Sequence, residues 1–244
     1  MQNNKDVAVK KTADVPSTIL YREDANKGFE NVTEKSLKLP ILKLLQNGSG
    51  EAQKRNQNYV EGAEPGMFLN TVTKKLYDGD KGIDVIPCYY DLEFQEWEEF
   101  GSGGQGRPIN IFPSDSDILE KTTKDGAKDR LPNGNYILTC HQTFAIITDG
   151  NGSAEKVLIS MSSSQAKIAK QWMSMQKSKT MTDAEGSYTP SCYSYIYNLS
   201  TVLNSGKGNQ WYGYSVKDVD VLKDQNLYNV AKEFHDQMKA QKNR

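Results

Sequence analysis

Side chains that could bind nucleic acid are concentrated in the last third of the chain. Seven aromatic residues fall between Tyr188 and Val216, on either side of a turn made of small and polar residues, Ser205 to Asn209. Aromatic rings stack on the flat faces of unpaired bases, and lysines neutralise phosphates. The segment therefore predicts a hairpin that binds single-stranded nucleic acid.

The spacing of the rings predicts a shared face. Alternate side chains of a strand point the same way, so Tyr195 and its neighbours two residues away lie together, as do the two tyrosines of the returning strand. We expect this face to be exposed, although tyrosine and tryptophan also fill the cores of sheets. The residues predicted to stack are Tyr193, Tyr195, Tyr197, Trp211, Tyr212 and Tyr214, and those predicted to contact phosphates are Lys167, Lys170, Lys177 and Lys207.

Residues suited to catalysis or metal binding are scarce. His141 falls in an expected strand and His235 on the final helix, and neither belongs to a recognised catalytic motif. The cysteines are odd in number and widely spaced, which indicates reduced thiols instead of a disulfide framework or a zinc site. No dinucleotide fingerprint and no nucleophile elbow is present. We therefore expect a protein that is not an enzyme and uses no cofactor and no metal.

An acidic run from Asp91 to Glu99 leaves one catalytic alternative open. Asp91, Glu93 and Glu99 could hold the metal ions of a nuclease if they approached one another, but such sites draw carboxylates from several elements. We favour a charged strand edge that discourages aggregation.

Composition limits the classes of protein that the chain can belong to. Hydrophobic residues make up 36% and charged residues 25% of the chain, and no run is long enough to span a membrane. The N-terminus lacks the apolar core of a signal peptide, so a cytoplasmic location is expected. The net charge is −1. Acidic residues are in excess in 61–100, and basic residues are in slight excess in 161–244, the segment that contains the aromatic hairpin. This balance differs from that of strongly basic duplex-DNA binders.

Hydrophobic patterning predicts mostly strands. Strand patterns occupy 66–72, 83–96, 136–147 and 156–161, Pro87 indicates an edge or a bulge, and helices are expected at 165–179 and 226–242. A helix just before the last hairpin is the element order of a five-stranded Greek-key barrel of the OB type. The predicted fold is α+β and mostly β, an elaborated OB-like barrel with one helix between late strands and a C-terminal helix. Other mixed α+β sheets fit the pattern nearly as well.

The predicted domain organisation has three parts. Residues 1–35 are polar and lack an apolar period, so they are expected to form a mobile N-terminal arm. Residues 36–222 are expected to form the OB-like nucleic-acid-binding domain, and residues 223–244 the C-terminal helix.

Several motifs resemble a family of small bacteriophage proteins. They comprise Pro65 to Thr73, Ile83 to Pro87 followed by a tyrosine pair and by Trp97-Glu98, Val157 to Gln165, Lys170 to Met173, Pro190 to Thr201, Asn204, and Lys207 to Tyr214. The resemblance spans roughly residues 37–216. Members are labelled single-stranded DNA-binding proteins of the replication and recombination module, so the resemblance implies a nucleic-acid role. The basic C-terminus departs from the acidic tail of many such binders.

We therefore expect a phage protein that binds single-stranded DNA with little sequence preference during replication or recombination in the host cytoplasm. Replication proteins of the phage or its host, and a second copy of the chain, are further candidate partners. A membrane is not expected to be one. The alternatives are a structural or assembly protein that self-associates through its aromatic sheet, and a metal-dependent nuclease.

Overall fold

The computed structural model describes residues 18–33, 36–99, 101, 106–150, 153–206 and 208–242. The chain divides into two compact units, residues 1–38 and 39–244. In the first unit, helix α1 (Thr18–Glu23) lies within the predicted arm and is followed by exposed turns. Among the described residues, no helix is long and apolar enough to cross a membrane.

The described part of the second unit contains thirteen strands and two α-helices. The strands are β1 (Leu42–Leu44), β2 (Phe68–Asn70), β3 (Leu76–Tyr77), β4 (Ile83–Trp97), β5 (Asn110–Pro113), β6 (Thr123–Asp125), β7 (Lys128–Arg130), β8 (Tyr136–Thr148), β9 (Glu155–Ser162), β10 (Met181–Asp183), β11 (Gly186–Tyr188), β12 (Tyr195–Gly206) and β13 (Asn209–Val221). The helices are α2 (Ala166–Lys177) and α3 (Gln225–Lys242). The mostly β, α+β class is confirmed.

One large antiparallel sheet organises this unit. Its strand order is β13-β12-β4-β8-β7-β6, with β9 also paired to β8 and β5 also paired to β4. The predicted closed barrel is not found among the described residues. Strand β12 pairs with β4 only over Tyr197 to Leu199, and β13 forms the end of the sheet. Because the described residues provide no strand partner on the outer side of β13, the sheet stays open.

The long strand β4 lies inside the sheet. It pairs with β8 from Asp84 to Trp97, and it also pairs with β12 near its start and with β5 near its end. The pairing register shifts between Pro87 and Tyr89, which confirms the predicted bulge and follows from the missing N–H of proline. The interpretation of the acidic run as a protective sheet edge is wrong for Glu93 and Glu96, because β4 is paired on both sides there, with β5 and with β8. Glu98 and Glu99 follow the end of the strand.

The first core lies between one face of the large sheet, helix α2 and a small sheet of β1, β2 and β3. Leu42 and Phe68 from the small sheet, Val85 from β4 and Trp172 from α2 are all almost fully buried there. Burial of such side chains supplies the main driving force for folding, about 1.5–3 kcal/mol for each. This core fixes α2 beside the last hairpin, in agreement with the helix predicted at 165–179.

The second core lies on the opposite face of the sheet, under α3. Ala231 and Phe234 of the helix are buried against Ile86 of β4 and Ile146 of β8. The helix begins after Asp224, whose side chain accepts hydrogen bonds from the backbone N–H groups of residues 226 and 227 at 2.8 and 3.1 Å. The C-terminal helix predicted at 223–244 is thus part of the same compact unit as the sheet.

Candidate nucleic-acid interface

Two of the predicted stacking rings lie in the first core. Tyr197 has no exposed surface and Tyr214 has 5%, so the prediction that they are exposed is wrong. Trp172 of α2 packs edge-on against Tyr197, with ring centroids 5.9 Å apart, and Phe68 stacks on Tyr214 at 5.8 Å. Burial raises the pKa of both phenols. The face that carries alternate rings is therefore the face on which α2 and the small sheet pack.

Tyr193 and Tyr195 lie on opposite sides of the sheet. Tyr193 precedes β12, in a helical turn from Cys192 to Ser194, and its ring packs edge-on against Tyr228 of α3 at 5.3 Å. Tyr195 is half-buried on the side of the first core, and the ammonium group of Lys179 lies 4.6 Å from its ring centre. Tyr195 and Tyr197 share a face as predicted, but Tyr193 does not join them because the strand begins after it.

The tip of the same hairpin is open to solvent. Trp211 and Tyr212 are half-buried, and Leu203, opposite Tyr212 on β12, is 54% exposed. A hollow of about 660 Å³ at this end is lined by Asn47, Ser205, Gly206, Gly208, Asn209 and Gln210. Lys207 lies outside the described residues. Of the six predicted rings, the structure thus leaves Trp211 and Tyr212 at the accessible end of the hairpin.

Gly66 supports the ring of Tyr212. Its φ of +91° lies in the left-handed region, and a Cβ at this position would lie only 2.5 Å from an atom of the Tyr212 ring. Glycine meets both demands, since it tolerates positive φ and has no side chain. The phenol ring of Tyr212 therefore lies directly against the backbone of Gly66.

Helix α2 carries the three described lysines that were predicted to contact phosphates. At 100° per residue, Lys167, Lys170 and Lys177 fall on one side of the helix, along a line of about 15 Å. All three are exposed, and none forms an ion pair within the described part of the chain. We call them the lysine stripe.

The sequence around the lysine stripe carries no acidic residue, and the acid that approaches the end of α2 in space, Asp218 of β13, is paired with Lys179. No aspartate or glutamate occurs from Lys156 to Thr182, an interval that holds five lysines. This gap in the acidic residues is a sequence signal that would have distinguished these lysines from ordinary surface lysines. Most other described lysines, such as Lys43 and Lys124, form ion pairs with carboxylates.

The N-terminal end of the lysine stripe adjoins the hairpin tip. Gln165, the residue before α2, contacts the backbone of Tyr212 and of Tyr214 through its side-chain amide, at 3.2 and 3.1 Å. Lys167 follows two residues later and therefore lies within a single helical turn of this contact. The structure thus brings Lys167, at the start of the lysine stripe, to the exposed end of the hairpin, although the two were predicted from separate segments.

A buried histidine lies beneath Lys170. His141 is 4% exposed, and its Nδ1 lies 2.7 Å from the hydroxyl of the half-buried Tyr90. Burial and then the charge of Lys170 lower the pKa of the imidazole. The sequence patterns did not indicate Tyr90, because its partner His141 lies on another strand, 51 residues further along.

The acidic run does not form a joint metal site. Asp91 pairs with Lys242, Glu93 accepts from the amides of Gln95 and Gln142 at 2.7 Å, and Glu99 pairs with Arg130 at 2.9 Å. Within the described ranges, no group of three or more acidic, histidine or cysteine side chains could hold a metal ion. Asp91 and Glu93 instead share the ammonium group of Lys242, whereas Glu99 pairs with Lys128 and Arg130.

The cysteines are free thiols. Cys88 and Cys140 are buried and Cys192 is partly buried. Burial raises the pKa of Cys140 to about 12 and that of Cys192 to about 11. Thiols with such pKa values remain protonated near neutral pH, so their nucleophilic thiolate form is scarce.

A second polar hollow, of about 520 Å³, lies where β4, β8 and β9 meet. Glu155 at its wall accepts from the hydroxyl of Tyr77 at 2.6 Å and pairs with Lys75 at 3.3 Å. These hydrogen bonds, with one from Asn70, lower the pKa of the carboxyl in spite of its partial burial. The hollow is thus bordered by a carboxylate that already has its partners.

Comparison with known proteins assigns the chain to a phage family. No curated protein and no solved structure matches it. The family model described as Pam3 phage gp34-like protein matches residues 9–244, which is nearly the whole chain. The resemblance to bacteriophage proteins is thereby confirmed at the level of phage origin. The chain belongs to the Pam3 phage gp34-like family.

Proposed function

We propose that this phage protein binds single-stranded DNA with little sequence preference. The observation that carries the proposal is the exposed lysine stripe of α2, which is free of neighbouring acid in sequence and ends beside the open tip of the last hairpin. Phosphates would contact the lysines, and bases would stack at the tip. The proposed location is the host cytoplasm, where phage replication and recombination expose single strands.

The lysine stripe supports the electrostatic part of the proposal. Three ammonium groups spread over about 15 Å can follow a phosphate backbone. Each phosphate that a lysine neutralises releases condensed counterions, so the binding constant falls as salt rises, with a slope of about −0.7 per contact for single strands. Three contacts predict a slope of about −2 for the logarithm of affinity against the logarithm of salt concentration.

Trp211 and Tyr212 support the stacking part. They are the half-exposed rings of the hairpin tip, and each base stacked on such a ring contributes about 1–3 kcal/mol. Every base has a flat face, so stacking is tolerant of sequence. Paired bases in a duplex are already stacked on one another, and this favours single strands as the ligand.

A titration with labelled dT oligomers tests the proposal. We expect binding at about 50 mM salt that weakens at about 200 mM with a slope near −2. A duplex of the same length is the control, and it should bind more weakly at both salt concentrations. Absence of dT binding at the lower salt concentration, or equal affinity for the duplex, would contradict the proposal.

A second candidate function, self-assembly, is favoured by strand β5. Ile111 on this strand and Ile109 just before it are 57% and 46% exposed, and β5 pairs with β4 alone among the described strands. An open edge with exposed apolar side chains can pair with another chain. Sedimentation of the wild type and of Ile109→Lys/Ile111→Lys tests this function, since an oligomer that the variant loses would support it. A wild-type protein that sediments as a monomer at high concentration would rule it out.

A further inference from the structure

Strand β13 is the end of the large sheet, yet its outer edge is not left to water at the tip. The backbone N–H of Tyr212 donates to Gln46 Oε1 and its carbonyl accepts from Gln46 Nε2, both at 2.9 Å. The same carbonyl accepts from Gln165 Nε2 at 3.2 Å, and the N–H of Tyr214 donates to Gln165 Oε1 at 3.1 Å. Two glutamine side chains therefore take the place of a neighbouring strand.

The two glutamines tie the hairpin to separate parts of the fold. Gln46 follows β1 of the small sheet, and Gln165 immediately precedes α2. Gly213 lies between these contacts, and a Cβ at that position would lie 2.4 Å from the side-chain amide nitrogen of Asn204 on β12. The amides thus hold Tyr212 between the small sheet and the start of the lysine stripe.

Sheet stability alone does not require these bonds. Backbone groups on an exposed strand edge can bond to water, and the net contribution of one hydrogen bond is about 0.5–1.5 kcal/mol. What water cannot supply is a fixed distance between Tyr212 and α2. A ligand that contacts the ring and the lysines together gains from that fixed distance, because less motion is lost on binding.

We propose that Gln46 and Gln165 are positioning residues that hold the Tyr212 ring at a fixed distance from the lysine stripe, so that one DNA strand contacts the ring and the lysines at once. This inference rests on the proposed function. It predicts that the contribution of the Tyr212 ring to binding depends on the glutamines, whereas the contribution of the lysines does not.

The first arm of the test uses the free protein. Gln46→Met and Gln165→Met keep the side-chain length and remove the hydrogen bonds. Amide hydrogen exchange should speed up at Tyr212 in the first variant and at Tyr214 in the second, by about tenfold. Gln171→Met, which changes an exposed glutamine on α2, is the matched control and should alter neither amide. Unchanged exchange in both Gln46→Met and Gln165→Met would overturn the inference.

The second arm measures dT affinity for the wild type, Gln165→Met, Tyr212→Ala and the double variant. Loss of the ring should weaken wild-type binding by about fivefold or more, but it should weaken Gln165→Met by less than about twofold. The salt slope should be the same in Gln165→Met as in the wild type. Gln46→Met with Tyr212→Ala repeats the test independently, should Gln165→Met fold poorly.

The outcomes separate the inference from the proposed function. If Tyr212→Ala weakens dT binding by the same factor in the wild type and in Gln165→Met, the positioning role is overturned, while the proposal of DNA binding stands. A changed salt slope in Gln165→Met would also overturn it, since the lysines would then depend on the glutamine. A wild-type protein that does not bind dT would overturn the proposed function and the inference with it, even if the exchange arm behaved as expected.

Discussion

The base and the tip of the last hairpin have opposite surroundings, although they belong to the same two strands. At the base, Tyr197 and Tyr214 are enclosed by Trp172 and Phe68. At the tip, Leu203 is mostly exposed and Tyr212 is half-buried, although both lie on the same face as the buried rings. Strand parity therefore sets which rings share a face, and the elements that pack on that face decide which of them are accessible.

The comparison also assigns different roles to the two ends. Rings at the base contribute to folding, and rings at the tip are available to a ligand. Substitutions at the base should therefore change stability, and substitutions at the tip should change DNA binding with little effect on stability. The predictions below test this division.

The largest effect is expected from Tyr197→Ala. Removing a fully buried ring leaves a cavity beside Trp172 and should lower the free energy of unfolding by about 3–5 kcal/mol. Leu203→Ala at the tip of the same strand is the matched control, with an expected change within about 0.5 kcal/mol. Denaturant unfolding measures both variants. A loss below about 1 kcal/mol for Tyr197→Ala would show that the base is not a core.

Gly66→Ala tests the support under the tip. The alanine would combine the cost of a positive φ with a clash against the Tyr212 ring, so a loss of about 1–3 kcal/mol in the free energy of unfolding is expected. Gly208→Ala is the control, because Gly208 also has positive φ but a Cβ added there would meet no described atom within 4 Å. An equal loss of unfolding free energy in the two variants would mean that the clash with the Tyr212 ring contributes nothing to the effect of Gly66→Ala.

Trp211→Ala tests the claim that the rings at the hairpin tip bind DNA and contribute little to stability. We expect dT affinity to fall by an amount equivalent to about 1–3 kcal/mol, with the free energy of unfolding changed by less than about 1 kcal/mol. Tyr188→Ala removes an exposed ring from β11 and should leave affinity unchanged. If Trp211→Ala instead unfolds the protein while dT affinity of the folded fraction persists, the ring belongs to the core.

A smaller effect is expected from pH, through His141 in the buried layer under the lysine stripe. Its folded-state pKa is lowered from 6.5, so the unfolded chain binds the proton more readily than the folded protein does. The contribution of His141 to the free energy of unfolding is fully present above about pH 6.5 and decreases as the pH falls below that value. His141→Gln should flatten the dependence of the unfolding midpoint on pH between about 5 and 7. An unchanged dependence would contradict this account.

Much of the fold could be predicted from local patterns. The long β-branched runs of β4 and β8, the hairpin of β12 and β13, and the amphipathic α2 and α3 were all indicated by periodicity. Barrel closure could not be predicted correctly, because it depends on pairing between strands distant in sequence, such as β12 with the start of β4. The short hairpins β6–β7 and β10–β11 were missed because polar runs such as Lys128 to Arg130 carry no period of hydrophobicity.

The candidate site could be predicted only in part, for a related reason. Residue types and spacing gave the alternating rings, but Ile196 and Leu199 make both faces of β12 apolar, and each face is covered by a different element. Which face α2 covers is a tertiary property. The contacts of Gln46 with Tyr212 and of Tyr90 with His141 join residues 166 and 51 positions apart, so no local motif could have indicated them.

The most direct test of the account compares two pairs of lysines on two helices. Lys170 and Lys177 lie seven residues apart on α2, and Lys232 and Lys239 lie seven residues apart on α3, all of them exposed. The measurement is the salt dependence of dT affinity for Lys170→Gln/Lys177→Gln and for Lys232→Gln/Lys239→Gln. We predict that the first double variant binds more weakly, with a slope shallower by about 1.4, and that the second matches the wild type. Equal slopes in the two double variants would contradict the assignment of DNA binding to the lysine stripe.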